Sequence, residues 1–185
     1  MAWLSKRIKG RSEPGVTSHD APDFEAALPN AVAGRQLVRW SVAGDNFWQV
    51  LGGDRPRSAL AHELASAGLS PADITMAVAG RSDTTHPPYI VWGLRFGSLR
   101  GDALWGPVPG PLAMDVMHVD PNQGESWIDA TIADKKVQVG NDLMVHQDKH
   151  HRGKPYVYIG TRAIYALIAD DEDWARDAIA ALASD

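Results

Sequence analysis

The chain contains no cysteine among its 185 residues. This absence excludes disulfide bonds, thiolate zinc sites, iron–sulfur clusters and cysteine nucleophiles. The sequence also lacks a run of about 18 apolar residues, the length that a membrane-spanning helix needs. Residues 1–10 have neither the apolar core nor the small-residue cleavage site of a signal peptide. Together these absences predict a soluble protein of the cytoplasm.

The composition is that of an ordinary globular protein, with 44% apolar and 22% charged residues. At this length the chain fits one compact domain. The formal net charge is −5, so we expect no nucleic-acid partner. Seven tryptophans supply large apolar side chains for a core or a binding face.

Residues 1–21 differ in charge from the rest of the chain and are interpreted as a flexible tail. Four basic residues against two acidic ones give the tail a net charge of +2, which leaves −7 for residues 22–185. An amphipathic turn or two would place apolar side chains opposite basic ones and give a surface for a membrane or a partner. The residues concerned are Trp3, Leu4, Lys6, Arg7, Ile8 and Lys9. The alternative is an unstructured leader that only improves solubility.

The hydrophobic pattern predicts an α+β fold with a mainly antiparallel sheet. Helices are predicted near residues 57–67 and 172–183, both packed on one face of the sheet. A short helix is also predicted from Pro22 to Pro29, with Phe24 on its apolar side. The acidic run Asp170–Asp173 suits the N-terminus of the helix near 172–183. The predicted strands are residues 36–42, 74–78, 89–96, 127–132, 136–140, 142–147, 156–160 and 163–169. The other face of the sheet would be covered by residues 105–111, by another loop or by another chain.

Two quasi-repeated units are predicted, because similar segments recur on either side of the proline-rich run 106–111. Val32–Leu37 is similar to Ile132–Val137, and the pair Pro88-Tyr89 is similar to Pro155-Tyr156. The units are residues 22–111 and 112–185, within one compact domain. Chance similarity in a chain rich in Ala and Val is the alternative.

These residues also carry a resemblance to other proteins. Leu28-Pro29, Lys136-Val137, Tyr156-Val-Tyr158 and the helix from Asp170 to Leu182 resemble a group of bacterial, often actinobacterial, two-unit proteins of unassigned function. The resemblance covers about residues 25–183, and it implies the α+β fold but no catalytic residue. Members often carry a lipoprotein-type leader, which this chain lacks.

Ligand-type side chains are concentrated in one segment, residues 146–154. On a helix, His146 and His150 would share a face and could bind zinc. In a loop, His150 and His151 would instead lie at the tip of a solvated connection. Basic side chains there could bind a phosphate or carboxylate partner. They are Lys149, Arg152 and Lys154.

The remaining candidates for chemistry are scattered along the chain. His118 and Asp120 could lie on one side of an extended segment as an acid–base pair, and an enzyme would need His118, Asp120 or His146 to converge in space. No nucleophile elbow, phosphate-binding loop or dinucleotide fingerprint is present, and we expect no cofactor. Aromatic residues of the predicted strands, Trp92, Tyr156 and Tyr158, either pack in the core or line a binding face.

The scattered acids and bases favour a non-enzymatic binding or protein-interaction module of unknown partner. The partner would be a protein or a small molecule, and self-association into a homo-oligomer is a further alternative. A small hydrolase or metal-dependent enzyme with a His/Asp cluster is the competing hypothesis. A peripheral membrane adaptor that uses the basic tail is the third.

Overall fold

The computed structural model describes the chain in several stretches. They are residues 18–44, 46–47, 62, 64–66, 68–80, 89–97, 100, 127–140 and 153–183. The basic tail through residue 17, the His118/Asp120 pair and residues 141–152 lie outside them. No helix in the described stretches is long and apolar enough to cross a membrane.

The described elements are mostly strands. The first part of the chain contributes helix α1 (Pro22–Glu25) and strands β1 (Ala31–Val32), β2 (Arg35–Gln36), β3 (Val38–Ala43), β4 (Ile74–Gly80) and β5 (Ile90–Phe96). A 3₁₀ turn, Pro71–Asp73, precedes β4. The second part contributes β6 (Trp127–Ile132), β7 (Lys135–Gly140), β8 (Lys154–Ile159), β9 (Ile164–Ala169) and helix α2 (Glu172–Ala181).

Seven of these strands form one antiparallel sheet in the order β3-β4-β5-β9-β8-β7-β6. Strands β1 and β2 form a separate two-stranded hairpin. The prediction of a mainly antiparallel sheet with few short helices is therefore confirmed.

Two tight hairpin turns lie 100 residues apart. Ala33 and Gly34 join β1 to β2 with φ angles of 50° and 73°, and Ala133 and Asp134 join β6 to β7 with φ angles of 49° and 62°. Two central residues with positive φ are characteristic of a type I′ turn, whose twist matches that of paired strands. Both turns lie where the sequence similarity between Val32–Leu37 and Ile132–Val137 begins.

Both faces of the central strands are buried. On the first face, Trp92 packs with Met76 from β4 and Ile164 from β9. On the second face, Tyr165 and Leu167 pack with Trp174 from α2. All six residues of β9 are buried. These central strands therefore present no open face in the part of the chain that the structure describes.

The helices also lie on different faces. Helix α2 contributes Trp174, Ala178 and Ile179 to the core of the second face. Residues 62 and 64–66 are helical as predicted, but Leu64 packs into the core of the first face. The prediction that both helices pack on one face is wrong, because each face has its own apolar surface to bury.

Small side chains on the second face make room for helix α1. Ser41, Ala77, Gly93 and Tyr165 are successive neighbours across strands β3, β4, β5 and β9. A Cβ atom at Gly93 would lie 2.9 Å from Cζ of Phe24. The Phe24 ring also contacts Tyr165, with 6.2 Å between ring centroids. Gly93 therefore permits α1 to pack directly on the sheet.

The segment before α1 is bound to the edge of β3, although residues 18–21 belong to the predicted tail. The backbone N–H of Ser41 donates to the carbonyl oxygen of Ser18 at 2.9 Å, and His19 forms a parallel bridge with Ser41. The Asp20 carboxylate accepts a hydrogen bond from the backbone N–H of Ala43 at 3.0 Å. These contacts occupy backbone groups that an edge strand would otherwise expose.

Candidate functional site

Helix α2 leaves one end of a row of second-face residues uncovered. Leu167, Tyr156, Val139 and Ile128 are successive neighbours across strands β9, β8, β7 and β6. Residues directly opposite each other in antiparallel strands point to the same face. Exposure rises along this row, from 1% at Leu167 to 50% at Ile128. The row thus passes from the core to a surface depression beside α2.

This depression is a groove of about 340 Å³ between α2 and strands β6, β7 and β8. Its volume lies near the lower end of the ligand-pocket range, about 300–1,000 Å³. The groove is lined by apolar residues toward the sheet and by charged residues toward solvent. The lining residues are Thr131, Ile132, Ala133, Val139, Lys154, Tyr156, Glu172 and Arg176.

The charged side of the groove lies at the start of helix α2. Asp171 caps this helix, because its carboxylate accepts from the backbone N–H groups of Asp173 and Trp174 at 2.9 and 3.1 Å. The Lys154 ammonium donates to the Glu172 carboxylate and forms an ion pair with it. Arg176 donates to Asp173 at 2.7 Å and lies one turn after Glu172. The cap thus fixes the helix end that holds these charges.

Tyr156 is the buried polar residue of the groove. Its residue surface is 4% exposed, and its side chain is part of the groove lining. Burial raises the pKa of the phenol, the Glu172 carboxylate raises it further, and Lys154 acts in the opposite direction. The hydroxyl is therefore neutral at physiological pH.

The ion pair between Lys154 and Glu172 determines how the Glu172 carboxyl group should titrate. The hydrogen bond from Lys154 is the main reason that the pKa of Glu172 lies below its ordinary value of 4.5. Lys154→Ala should therefore raise the Glu172 pKa toward 4.5, as followed by side-chain ¹³C NMR. A lowered carboxyl pKa stabilises the fold above the unfolded-state value, and that contribution is lost as the pH falls through the folded-state value.

Two controls accompany this titration. Lys136→Ala removes an exposed lysine of β7 that makes no contact with Glu172, and it should leave the titration unchanged. Arg176→Ala should raise the pKa less than Lys154→Ala does, because Arg176 is the smallest contributor. An unchanged midpoint in Lys154→Ala would show that the ion pair does not form in solution.

The groove brings together two of the predicted binding residues, Lys154 and Tyr156. Tyr158 lies on the same strand outside the groove, with its ring stacked on Tyr165 at 5.8 Å between centroids. Trp92 is 1% exposed and lies in the core, so the core interpretation applies to it. The remaining candidates, Lys149, His150, His151, Arg152 and His146, lie outside the described residues, as do Trp3 through Lys9.

Sequence reasoning missed Glu172 and Arg176 as groove residues. Glu172 was attributed only to the acidic N-terminus of the last helix, and Arg176 was given no role. Their i, i+4 spacing places them on one helix face, which was the available signal. The partner strand could not be identified, because Lys154 lies 18 residues before Glu172 and the contact depends on how α2 returns over the sheet.

The described residues offer no metal site. No group of three or more His, Cys, Asp or Glu side chains is clustered in them. Among the described lining residues of the groove, Glu172 is the one carboxylate, and it is already paired with Lys154. The groove therefore presents hydrogen-bond donors rather than metal ligands.

Comparison of the chain with protein-family models, with curated proteins and with solved structures gives no match. The resemblance to the two-unit bacterial proteins stays a prediction.

Proposed function

We propose that this protein is a non-catalytic binding module and that the groove beside α2 is its ligand site. The observation that supports this function is the groove itself, a depression of about 340 Å³ with apolar residues toward the sheet and charged side chains toward solvent. Ligand sites are typically concave and mostly apolar, with a few polar groups that fix the orientation of the ligand.

The groove's chemistry favours binding over catalysis. Among the described residues, its lining has one paired carboxylate, two cations, the Thr131 hydroxyl and a phenol whose pKa is raised, and it has no histidine, serine or cysteine. General acid–base catalysis needs a group that titrates near the operating pH. The pKa of Glu172 is lowered and those of Lys154 and Tyr156 are raised, so all three are shifted away from neutral pH. The enzyme alternative depends on His118, Asp120 and His146, outside the described residues.

A fragment screen by ¹H–¹⁵N NMR tests this proposal. Fragments that bind should shift the amides of Ile132, Val139 and Tyr156. The amides of Ala77 and Ala79, in strand β4, serve as the internal control because β4 contributes nothing to the groove lining. Hits that leave the groove amides unshifted, or a screen without hits, would contradict the assignment of the site.

We also infer that the sheet arose from two related units. From the central pair β5–β9, the strands run outward as β4 then β3 on one side and as β8 then β7 on the other. The two type I′ turns precede β3 and β7 on the two sides. The Pro-Tyr similarity does not follow this order, since it pairs β5 with β8. A single rotation that superposes β3-β4-β5 on β7-β8-β9 in an experimental structure would support duplication, and separate rotations would contradict it.

A further inference from the structure

Strand β6 lies at one end of the seven-stranded sheet, and no strand among the described residues pairs with its outer edge. The other end of the sheet is closed, because residues 18–20 bind along the outer edge of β3. Backbone N–H and C=O groups at a sheet edge are a template for another strand. The outer edge of β6 is therefore the place where the described sheet can add a strand.

The β6–β7 hairpin determines which backbone groups of β6 point outward. Ile132 and Lys135 flank the two-residue turn, so they form a hydrogen-bonded pair. Hydrogen-bonded pairs alternate along an antiparallel ladder, which directs the N–H and C=O groups of Ala130 and Ile132 toward β7. The same groups of Asp129 and Thr131 point away from β7. An added strand would form its hydrogen bonds with these two residues.

Strand β6 carries few of the features that protect an edge strand. Its register with β7 runs from Trp127 to Ile132 without a bulge, and the strand contains neither lysine nor proline. Its one charged residue, Asp129, accepts a hydrogen bond from Gln138 of β7 at 2.6 Å. Ile128 is 50% exposed. Since bulges, lysines and prolines are the usual protection of exposed edges, β6 is open to a second strand.

The outer edge of β6 is complementary to a second copy of itself in one antiparallel register. With a two-fold axis at Ala130, Asp129 of each copy lies opposite Thr131 of the other. Both residues direct their backbone groups outward, so they exchange N–H···O bonds, and the threonine hydroxyl can donate to the aspartate carboxylate. With the axis one residue earlier, Asp129 would face its own copy, and like charges directly opposite destabilise a sheet.

We propose that two copies of this chain associate through their β6 edges in this register. Ile128 of each copy then lies opposite Ile132 of the other, on the second face of a continuous sheet. Ile132 lines the groove beside α2, so the partner's Ile128 extends the apolar side of that groove. Six residues a side are fewer than the roughly 20–30 of a standard interface, so the dimer should be weak and concentration-dependent.

An extended segment of another protein could use the same backbone groups, but the side chains of β6 favour self-pairing. A two-fold interface repeats each of its contacts. The contact of Asp129 with Thr131 and the contact of Ile128 with Ile132 therefore both occur twice in the dimer. A foreign strand would have to supply its own residues to match these positions.

Sedimentation velocity of the full chain at increasing concentration tests the dimer. The chain should pass from monomer to dimer, and in ¹H–¹⁵N NMR the amides of Ile128, Asp129 and Thr131 should shift over the same range. The amides of Val38 and Ala43, in the strand at the opposite end of the sheet, should not shift. A chain that stays monomeric would overturn the proposal, as would a dimer whose shifts lie outside β6.

Two variants locate the contact. Thr131→Pro removes an outward-facing N–H, and proline is tolerated in an edge strand at such a position, so the dimer should be lost while the circular dichroism spectrum is kept. Ile128→Thr keeps a β-branched side chain at a half-exposed position and should weaken the dimer about threefold or more. If Thr131→Pro fails to fold, Ile128→Thr decides. Either folded variant associating as tightly as the parent chain would show that β6 is not the interface.

Charge at position 131 tests the register. Thr131→Lys places a cation opposite Asp129 and should tighten the dimer about threefold or more, whereas Thr131→Asp should weaken it by a similar factor. Ser66→Lys adds the same charge as Thr131→Lys at an exposed residue outside β6, and it should leave the affinity within about twofold. Equal effects of lysine and aspartate at position 131 would overturn the register and, with it, the contribution of the partner's Ile128 to the groove.

The dimer and the ligand site can fail separately, because neither requires the other. The fragment screen is therefore repeated on the monomeric Thr131→Pro variant. Fragments that shift Ile132 and Val139 there would support the ligand site even if the parent chain does not dimerise. A parent dimer without any fragment hit would support the self-association and contradict the ligand site.

Discussion

Trp92→Ala should destabilise the protein by about 3–5 kcal/mol, the range typical of large-to-small changes in a core. The Trp92 side chain is 1% exposed, and its neighbours in the sheet are Val78 on β4 and Ala166 on β9. Removing the indole leaves a cavity at the centre of the first face, which a sheet buried on both faces cannot close. Urea unfolding followed by far-ultraviolet circular dichroism measures the loss.

Two further variants establish the cause of that loss. Trp92→Phe keeps an aromatic ring in the site and should lose less stability than Trp92→Ala. Val38→Ala changes a strand residue that is 44% exposed, and it should stay within about 0.5 kcal/mol of the parent protein. If Trp92→Ala were as stable as the Val38 variant, the burial of Trp92 would be wrong and its candidacy as a binding residue would reopen.

The central strands could be predicted because their sequences consist almost entirely of apolar and aromatic residues. Ala163–Ala169 contains no charged residue and Tyr89–Phe96 contains one, Arg95, and both become central strands. The same continuity was also a signal that both faces are buried, since a half-exposed strand alternates apolar and polar residues.

The outer strands show the alternation that the central ones lack. In β6, Asp129 and Thr131 are exposed, while Ala130 and Ile132 are partly buried. Asp129 is bound by the side chain of Gln138, its neighbour on β7. Whether a strand is buried on one face or on both therefore depends on its position in the sheet. The order of the strands in the sheet cannot be read from the residue pattern of any one strand.

The groove could be predicted only in part. The sequence identified Lys154 and Tyr156 as binding candidates because basic and aromatic residues lie close together there. It could not identify Glu172 and Arg176, whose role depends on the angle at which α2 crosses the sheet. That angle follows from tertiary contacts, including the ones α2 makes with β9, β1 and β6.

The short N-terminal elements were harder still, because polar contacts hold them as much as apolar ones. Pro22 and Phe24 predicted helix α1, and the structure contains it. The carboxylate of Glu25, in the same helix, is directed inward to Ser41. A glutamate in a four-residue helix gives no periodic signal, so its burial becomes visible only when the sheet is in place.

Ser41→Ala should therefore have the second large effect, a loss of about 2–4 kcal/mol. The Ser41 side chain is fully buried and serves two partners at once. It accepts a hydrogen bond from the backbone N–H of Ala21 at 2.8 Å and donates one to Oε1 of Glu25 at 2.6 Å. Alanine removes both bonds, leaves the buried Ala21 N–H without its acceptor, and leaves Oε1 of Glu25 with the His19 ring nitrogen at 3.0 Å as its partner.

A double-mutant cycle with Glu25→Ala distinguishes this network from simple packing. Because Ser41 and Glu25 are in contact, their free-energy changes in urea unfolding should be non-additive by more than about 0.5 kcal/mol. Ser66→Ala is the matched control, since its hydroxyl is exposed and donates to a carbonyl oxygen of its own helical turn. Additive changes, or a Ser41 variant as stable as the Ser66 variant, would mean that water satisfies Ala21 and Glu25. In that case the docking of residues 18–25 on β3 would depend on Phe24 and on the hydrogen bonds of Ser18 and Asp20 to β3, and not on the Ser41 hydroxyl.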